Sequence, residues 1–134
     1  MVPQLTAETE TAPNHVLVVE DDVEIRLILA EAMRDAELCV IEARSGEDAV
    51  SYLDAGGRVD LIFSDIQMPG AIDGLQLARH VHATYPAIPV ILTSGNIKPP
   101  ELGDTEKFIS KPYAIGRVVA LVAQLLGRTG NNAT

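Results

Sequence analysis

The chain has 134 residues, 47% hydrophobic and 22% charged, with a net charge of −9. That length suits one domain around one core. The acidic balance opposes binding to nucleic acid or to an anionic membrane, both of which need basic surface.

Residues 1–13 are polar, with Thr6-Ala7-Glu8-Thr9-Glu10-Thr11 ahead of Pro13, and are expected to form a disordered tail. They carry no basic stretch followed by an apolar core, so they do not read as a signal peptide. Val16-Leu17-Val18-Val19 is a short continuous apolar run, as a strand buried on both faces requires. A helical stripe follows at Ile25, Ile28, Leu29, Ala32, Met33 and Ala36. Cys39-Val40-Ile41 reads as a second strand. Cys39 is the chain's single cysteine, so no intrachain disulfide can form, and in this apolar run it is expected to be a buried, inert thiol. Ser45 is a plausible N-cap for a helix bearing Ala49, Val50 and Leu53, which Gly56-Gly57 stops.

Leu61-Ile62-Phe63 is the third strand. Asp73 caps a helix with Leu77, Ala78 and Val81, which ends before Pro86. Val90-Ile91-Leu92 is the fourth strand and Phe108-Ile109 a short fifth. Between them, Asn96 to Lys107 contains Pro99-Pro100 and Gly103, so a loop with at most one helical turn is expected there. The last helix has its stripe at Ile115, Val118, Val119, Val122, Leu125 and Leu126. Residues 128–134 read as a second disordered tail, leaving one folded domain over 14–127. No apolar run approaches the length of a membrane span, so a cytoplasmic location is expected.

Strands alternating with helices imply a parallel α/β sheet covered on both faces. For five strands the common doubly wound order is 2-1-3-4-5, which sets strands one and three side by side at the switch point. Each strand then runs into polar residues on one rim: Glu20-Asp21-Asp22 after the first, Ser64-Asp65 after the third, Thr93-Ser94-Gly95 after the fourth and Ser110-Lys111-Pro112 after the fifth. Two carboxylates about 4 Å apart repel by roughly 4 kcal/mol at an effective dielectric near 20. Such a cluster must take up protons or hold a cation. Oxygen ligands with open water positions suit Mg²⁺, which commonly combines a carboxylate or two with phosphate oxygens. One carboxylate is then free to attack a phosphoryl group, with Lys111 as a second positive charge and Thr93 as a hydroxyl donor.

Val16 to Asp22, then Asp65-Ile66-Gln67-Met68-Pro69-Gly70 with Asp73-Gly74, then Leu92-Thr93-Ser94-Gly95, then Phe108-Ile109-Ser110-Lys111-Pro112 resemble the bacterial response-regulator receiver domain, a flavodoxin-like fold. The resemblance covers about residues 15 to 127. It implies a single-domain phosphoacceptor of two-component signalling, with Asp65 taking a phosphoryl group from a phosphohistidine on a sensor histidine kinase or histidine phosphotransfer protein. Glu20 and Asp21 would hold Mg²⁺ together with Asp65 and the backbone carbonyl of Gln67. Lys111 would pair with Asp65 and then with the phosphoryl oxygens. Thr93 would move toward that group, Phe108 would change rotamer behind it, and the Lys111–Pro112 bond would be cis. The chain would catalyse only its own phosphorylation and dephosphorylation. It would control a downstream protein, as a monomer or weak dimer, or serve as a phosphate sink or relay. Two departures stand out: the loop from Met68 to Gly74 is one residue longer than the commonest version, and the family's fourth helix, which would fall in Asn96 to Lys107 ahead of the last helix, is degenerate.

Plainer readings accompany these. Asp21, with Glu24 three residues on, fits a capping box, although Asp22 is the better cap. Asp65 fits a turn ahead of Pro69, Thr93 a β-former, Lys111 a surface lysine and Phe108 an ordinary core residue. His80 and His82 read as solvated. Tyr113 either covers the site's edge or packs. Two other functions are also open. An aspartate-nucleophile phosphohydrolase of the haloacid-dehalogenase type needs an acid two residues after the nucleophile, where this chain has Gln67. A flavodoxin-like FMN carrier needs a phosphate cradle after the first strand, where Glu20-Asp21-Asp22 would repel the ligand.

Overall fold

A computed structural model describes residues 14–95 and 107–127. The expected tails, and all of the expected loop but Lys107, lie outside these residues. The elements run β1 (His15–Val19), α1 (Val23–Asp35), β2 (Cys39–Ala43), α2 (Gly46–Asp54), β3 (Leu61–Asp65), α3 (Gly74–Thr84), β4 (Val90–Ser94), β5 (Lys107–Ser110) and α4 (Ile115–Leu125). The five strands form one parallel sheet in the order β2-β1-β3-β4-β5. The doubly wound order read from the sequence is therefore the observed one.

Alternation along the strands divides the core in two. Leu17 and Val19 of β1, Ile62 of β3 and Leu92 of β4 pack with Ala49 and Leu53 of α2 and with Leu77, Ala78 and Val81 of α3. Val16, Val18, Leu61, Phe63, Ile91 and Ile109 point the other way, against Leu29 and Met33 of α1 and Val118 and Val122 of α4. β1, β3 and β4 thus have helices on both faces, which is why they read as unbroken apolar runs.

Three helices begin on side-chain caps. Asp22 accepts from the Ile25 amide at 3.1 Å, Ser45 from the Asp48 amide at 3.0 Å, and Asp73 from the Gln76 amide at 2.9 Å. Gln76 returns the bond by accepting from the Asp73 amide, which completes a capping box. Since Asp22 caps α1, Asp21 is left free for other work.

Three expectations are corrected. Cys39 is exposed, not buried. It opens the edge strand β2, and the preceding Leu38 takes the buried position under α1, so alternation turns the thiol outward. The α1 stripe holds at Leu29 and Met33, with Ile25 packed on the same cluster, but Ile28 departs from it: it is 52% exposed, with Val23 and Leu27 exposed beside it, and Ala30 is buried in addition. His80 is half-buried rather than solvated, with its Nε2 3.3 Å from Asp54 Oδ1 and its ring edge-on to Tyr85. The Tyr85 hydroxyl donates to the same Asp54 oxygen at 2.6 Å, so the ends of α2 and α3 are tied together. Hydrogen bonds from Tyr85 and then His80 hold the Asp54 carboxyl below its ordinary value. Among the described residues, no helix is long and apolar enough to cross a membrane.

Candidate functional site

Strand register brings the polar strand ends together. Val19 pairs with Ser64, so Glu20 and Asp65 leave neighbouring strands side by side. Asp65 itself pairs with Thr93, and the Ile66 amide donates to the Thr93 carbonyl at 2.8 Å. Ser94 pairs with Ser110, and the Lys111 amide donates to the Ser94 carbonyl at 2.9 Å. Four strand ends therefore form one rim, at the switch point where β1 meets β3.

Glu20, Asp21 and Asp65 each present a carboxylate oxygen, and these oxygens all lie within 4.8 Å of one another. Glu20 and Asp65 are buried and Asp21 is exposed, so the cluster opens to solvent on one side. Lys111 Nζ lies 3.2 Å from Asp65 Oδ2 and 3.8 Å from Glu20 Oε1. One ammonium thus stands against two of the three carboxylates. Burial pushes the Glu20 carboxyl up to about 7, and the charge of Asp65 and a hydrogen bond with Asp21 add to the rise. The Asp22 amide, donating to Glu20 Oε2 at 3.1 Å, and the charge of Lys111 act against it. Glu20 Oε1 is buried without a hydrogen bond, as is Thr93 Oγ1.

These features fit a hard divalent cation. The donors are all oxygen, the cluster carries uncompensated negative charge, and a buried carboxylate oxygen lacks a donor. Gln67 is exposed in the loop just past Asp65, among the first residues after β3. Tyr113 is half-buried, edge-on to Phe63 at 6.0 Å, and borders a shallow apolar depression of about 490 Å³ with Ile25, Gly95, Lys111 and Pro112. Burial, then the charges of Glu20 and Asp65, push the Tyr113 hydroxyl up to about 12, so it stays neutral and polar beside the acids. The Lys111–Pro112 bond is cis.

The family model described as response regulator receiver domain matches residues 16–123. The chain belongs to this family. The receiver is 32% identical over 117 residues to the DNA-binding transcriptional regulator NtrC of Salmonella typhimurium, an alignment covering 83% of this chain and 24% of that protein. It therefore spans about a quarter of that relative's length. A response regulator receiver protein from Sinorhizobium medicae superposes with a TM-score of 0.79 at 25% identity, covering 86% of this chain and 95% of that one. The response regulator TrrA from Thermotoga maritima, solved in complex with Mg²⁺ and BeF, superposes with a TM-score of 0.75 at 26% identity, covering 84% and 98%.

Of the residues read from the receiver's sequence, Glu20, Asp21, Asp65, Thr93 and Lys111 come together on the rim. Phe108 does not join them. It pairs in register with Leu92 and packs, half-buried, against the core on the α2 and α3 face. Two further residues had no signal in the sequence. Arg26 Nη1 donates to the Glu20 carbonyl at 2.8 Å while its Nε donates to Glu42 Oε1 at 3.1 Å. Glu47, in the first turn of α2, accepts from the Ala71 amide at 2.8 Å, in the loop that follows Asp65. That bond, with others from the amides of Glu47 and Ile72, holds the Glu47 carboxyl below its ordinary value. Gly70 has φ +106°, and a Cβ there would stand 2.7 Å from Glu47 Oε2, so glycine permits both the turn and the approach. Neither contact has a sequence motif; each joins residues brought together only by the fold.

Proposed function

We propose that residues 14–127 form a phosphoacceptor receiver in a two-component phosphorelay, with Asp65 as the acceptor. The observation that carries this reading is a recessed Asp65 flanked by two further carboxylates, with the Lys111 ammonium 3.2 Å away. One oxygen of Asp65 attacks the phosphorus of a phosphohistidine. The P–N bond breaks, the imidazole leaves with that electron pair, and an acyl phosphate remains on Asp65. Glu20, Asp21, Asp65 and the backbone carbonyl of Gln67 would hold Mg²⁺. When bound, the ion supplies positive charge for the phosphoryl oxygens. Lys111, already paired with Asp65, turns to the incoming oxygens as the carboxylate becomes a mixed anhydride with phosphate and loses its own charge. Thr93 stands beside Asp65 with an unpaired hydroxyl, and the new acceptor oxygens give it a partner. That difference in contacts between the two states is what biases the conformation, with Phe108 as the proposed responding ring.

The phosphoryl donor would be a sensor histidine kinase or a histidine phosphotransfer protein, and the output a contact with a further protein in the cytoplasm. The NtrC relative is a DNA-binding regulator, but most of its length lies beyond the region matched here. The net charge of −9 argues against nucleic-acid contact by this chain itself. A sink or relay role uses the same acceptor chemistry.

The decisive experiment is incubation with acetyl phosphate and Mg²⁺, followed by intact-mass measurement. A gain of one phosphoryl group is expected, reduced in Asp21→Ala and absent when a chelator removes the metal. Sustained hydrolysis of a phosphomonoester would instead favour a phosphohydrolase.

Thr93→Val carries a second expected outcome. It removes a buried hydroxyl that has no hydrogen bond, a burden worth about 1–3 kcal/mol. The variant should be at least as stable as the parent in urea melts. Its backbone amide resonances should nevertheless shift less on phosphorylation. A variant that responds in full would remove Thr93 from the mechanism.

A further inference from the structure

We propose that Arg26 is a positioning residue for the metal site: anchored by Glu42 on the edge strand, its guanidinium holds the Glu20–Asp21 peptide where both carboxylates can meet one ion. The inference rests on the reading of Glu20 and Asp21 as metal ligands.

β1 has ended at Val19, and the next carbonyl, that of Glu20, accepts from Arg26 Nη1 at 2.8 Å. This carbonyl belongs to the planar unit that joins Glu20 to Asp21. Fixing its oxygen fixes the plane, and with it the directions in which both acidic side chains leave the backbone. Arg26 is itself fixed at both ends. Its amide donates to the Asp22 carbonyl at 2.9 Å in the first turn of α1, and its Nε donates to Glu42 Oε1 at 3.1 Å. The Arg26 side chain is only 14% exposed, so this pair is not a loose surface bridge. A planar fork with several N–H donors can serve two acceptors at once, whereas an ammonium on a flexible stem cannot reproduce that geometry. The demand for such a brace comes from the acids themselves. Three carboxylate oxygens lie within 4.8 Å of one another, and where neither a proton nor a cation is shared among them the repulsion tends to splay the strand ends. Residues that orient metal ligands in this way commonly change metal affinity about 10- to 100-fold when removed.

The fold provides a control. Arg34, two turns along α1, donates to the other oxygen of Glu42 at 3.2 Å and to the Val40 carbonyl at 3.2 Å. It makes the same kind of tie between α1 and β2, with no recorded bond to Glu20. If Arg26 merely fastens the helix to the sheet, the two arginines are equivalent.

The test is Mg²⁺ titration by calorimetry of the parent, Arg26→Ala, Arg26→Lys, Glu42→Gln and Arg34→Ala. Hydrogen exchange at the Asp21 and Asp22 amides is followed in the absence of metal. Arg26→Ala should weaken Mg²⁺ binding by about tenfold or more and speed exchange at those two amides. Arg26→Lys should restore only part of the affinity. Glu42→Gln should shift both readouts in the same direction by less. Arg34→Ala should lower the melting temperature without moving either. Folded Arg26 variants with parental affinity overturn the proposal, as does an Arg34→Ala loss equal to that of Arg26→Ala. If Arg26→Ala does not fold, Arg26→Lys and Glu42→Gln decide by the same criteria. A parent chain that fails to bind Mg²⁺ brings down the underlying reading and this inference together. A parent that binds while the Arg26 variants match it brings down the inference alone.

Discussion

Asparagine in place of Asp65 should abolish phosphoryl incorporation from acetyl phosphate and, in a chelator, raise the unfolding midpoint. The loss of incorporation follows from chemistry, because the amide keeps the shape of the side chain but offers no carboxylate oxygen to attack phosphorus. The gain in stability follows from charge. Asp65 is 6% exposed, and its oxygen lies within 4.8 Å of those of Glu20 and Asp21. Above pH 7, where Glu20 is charged, neutralising Asp65 removes two repulsions and one attraction, that of Lys111 at 3.2 Å. With each such term worth roughly 3–5 kcal/mol before cancellation at an effective dielectric near 20, a net gain of about 1–3 kcal/mol is expected. Mg²⁺ should narrow the gap, since a ligand bound only by the native state stabilises the form that holds it more tightly. Intact-mass measurement and thermal melts with and without Mg²⁺ check both halves. A midpoint below that of the parent in chelator would mean that the Lys111 pair outweighs the repulsion.

Gly74→Ala should damage the site from a position that carries no chemistry. Gly74 opens α3, and its amide donates to the Ile66 carbonyl at 2.9 Å. A methyl group there would collide with the carbonyl oxygen of Asp65 and stand 2.6 Å from the Ile66 Cα. Both obstacles are backbone, so no side chain can swing aside. Either α3 backs away from β3 or the Asp65 peptide turns. Overpacking of this kind costs about 1–3 kcal/mol, sometimes more. Guanidinium unfolding should show the loss, and the acetyl phosphate reaction should slow in the fraction that stays folded. A variant with parental stability and rate would show that the start of α3 yields freely.

Much of this was legible in the residues, for identifiable reasons. The central strands are covered on both faces, so Val16-Leu17-Val18-Val19 and Leu61-Ile62-Phe63 read as apolar runs without ambiguity. The site residues sit immediately past strand ends, where sequence order translates directly into position. Edges were harder. Cys39 lies in an apolar run but on strand β2, where pairing on one side and the open first position expose it. Ile28 fits the same helical stripe as Leu29 and Met33, yet the sheet takes up those two and leaves Ile28 outside. Contacts between distant positions left no trace. Arg26 reaches Glu42, and Glu47 reaches Ala71 across 24 positions of chain. Periodicity describes one element at a time, whereas these bonds exist only once the elements are docked.

The bond from Glu47 to the loop after Asp65 has a bearing on how firmly that loop is held. Slack beside a reactive carboxylate would let Gln67 wander. Here the loop is tethered from outside by a neighbouring helix, while the Gly74 amide secures the far end to Ile66. The way to the acceptor is thus walled in part by a helix that contributes nothing to the chemistry, and α2 joins the loop to the rest of the sheet's cover.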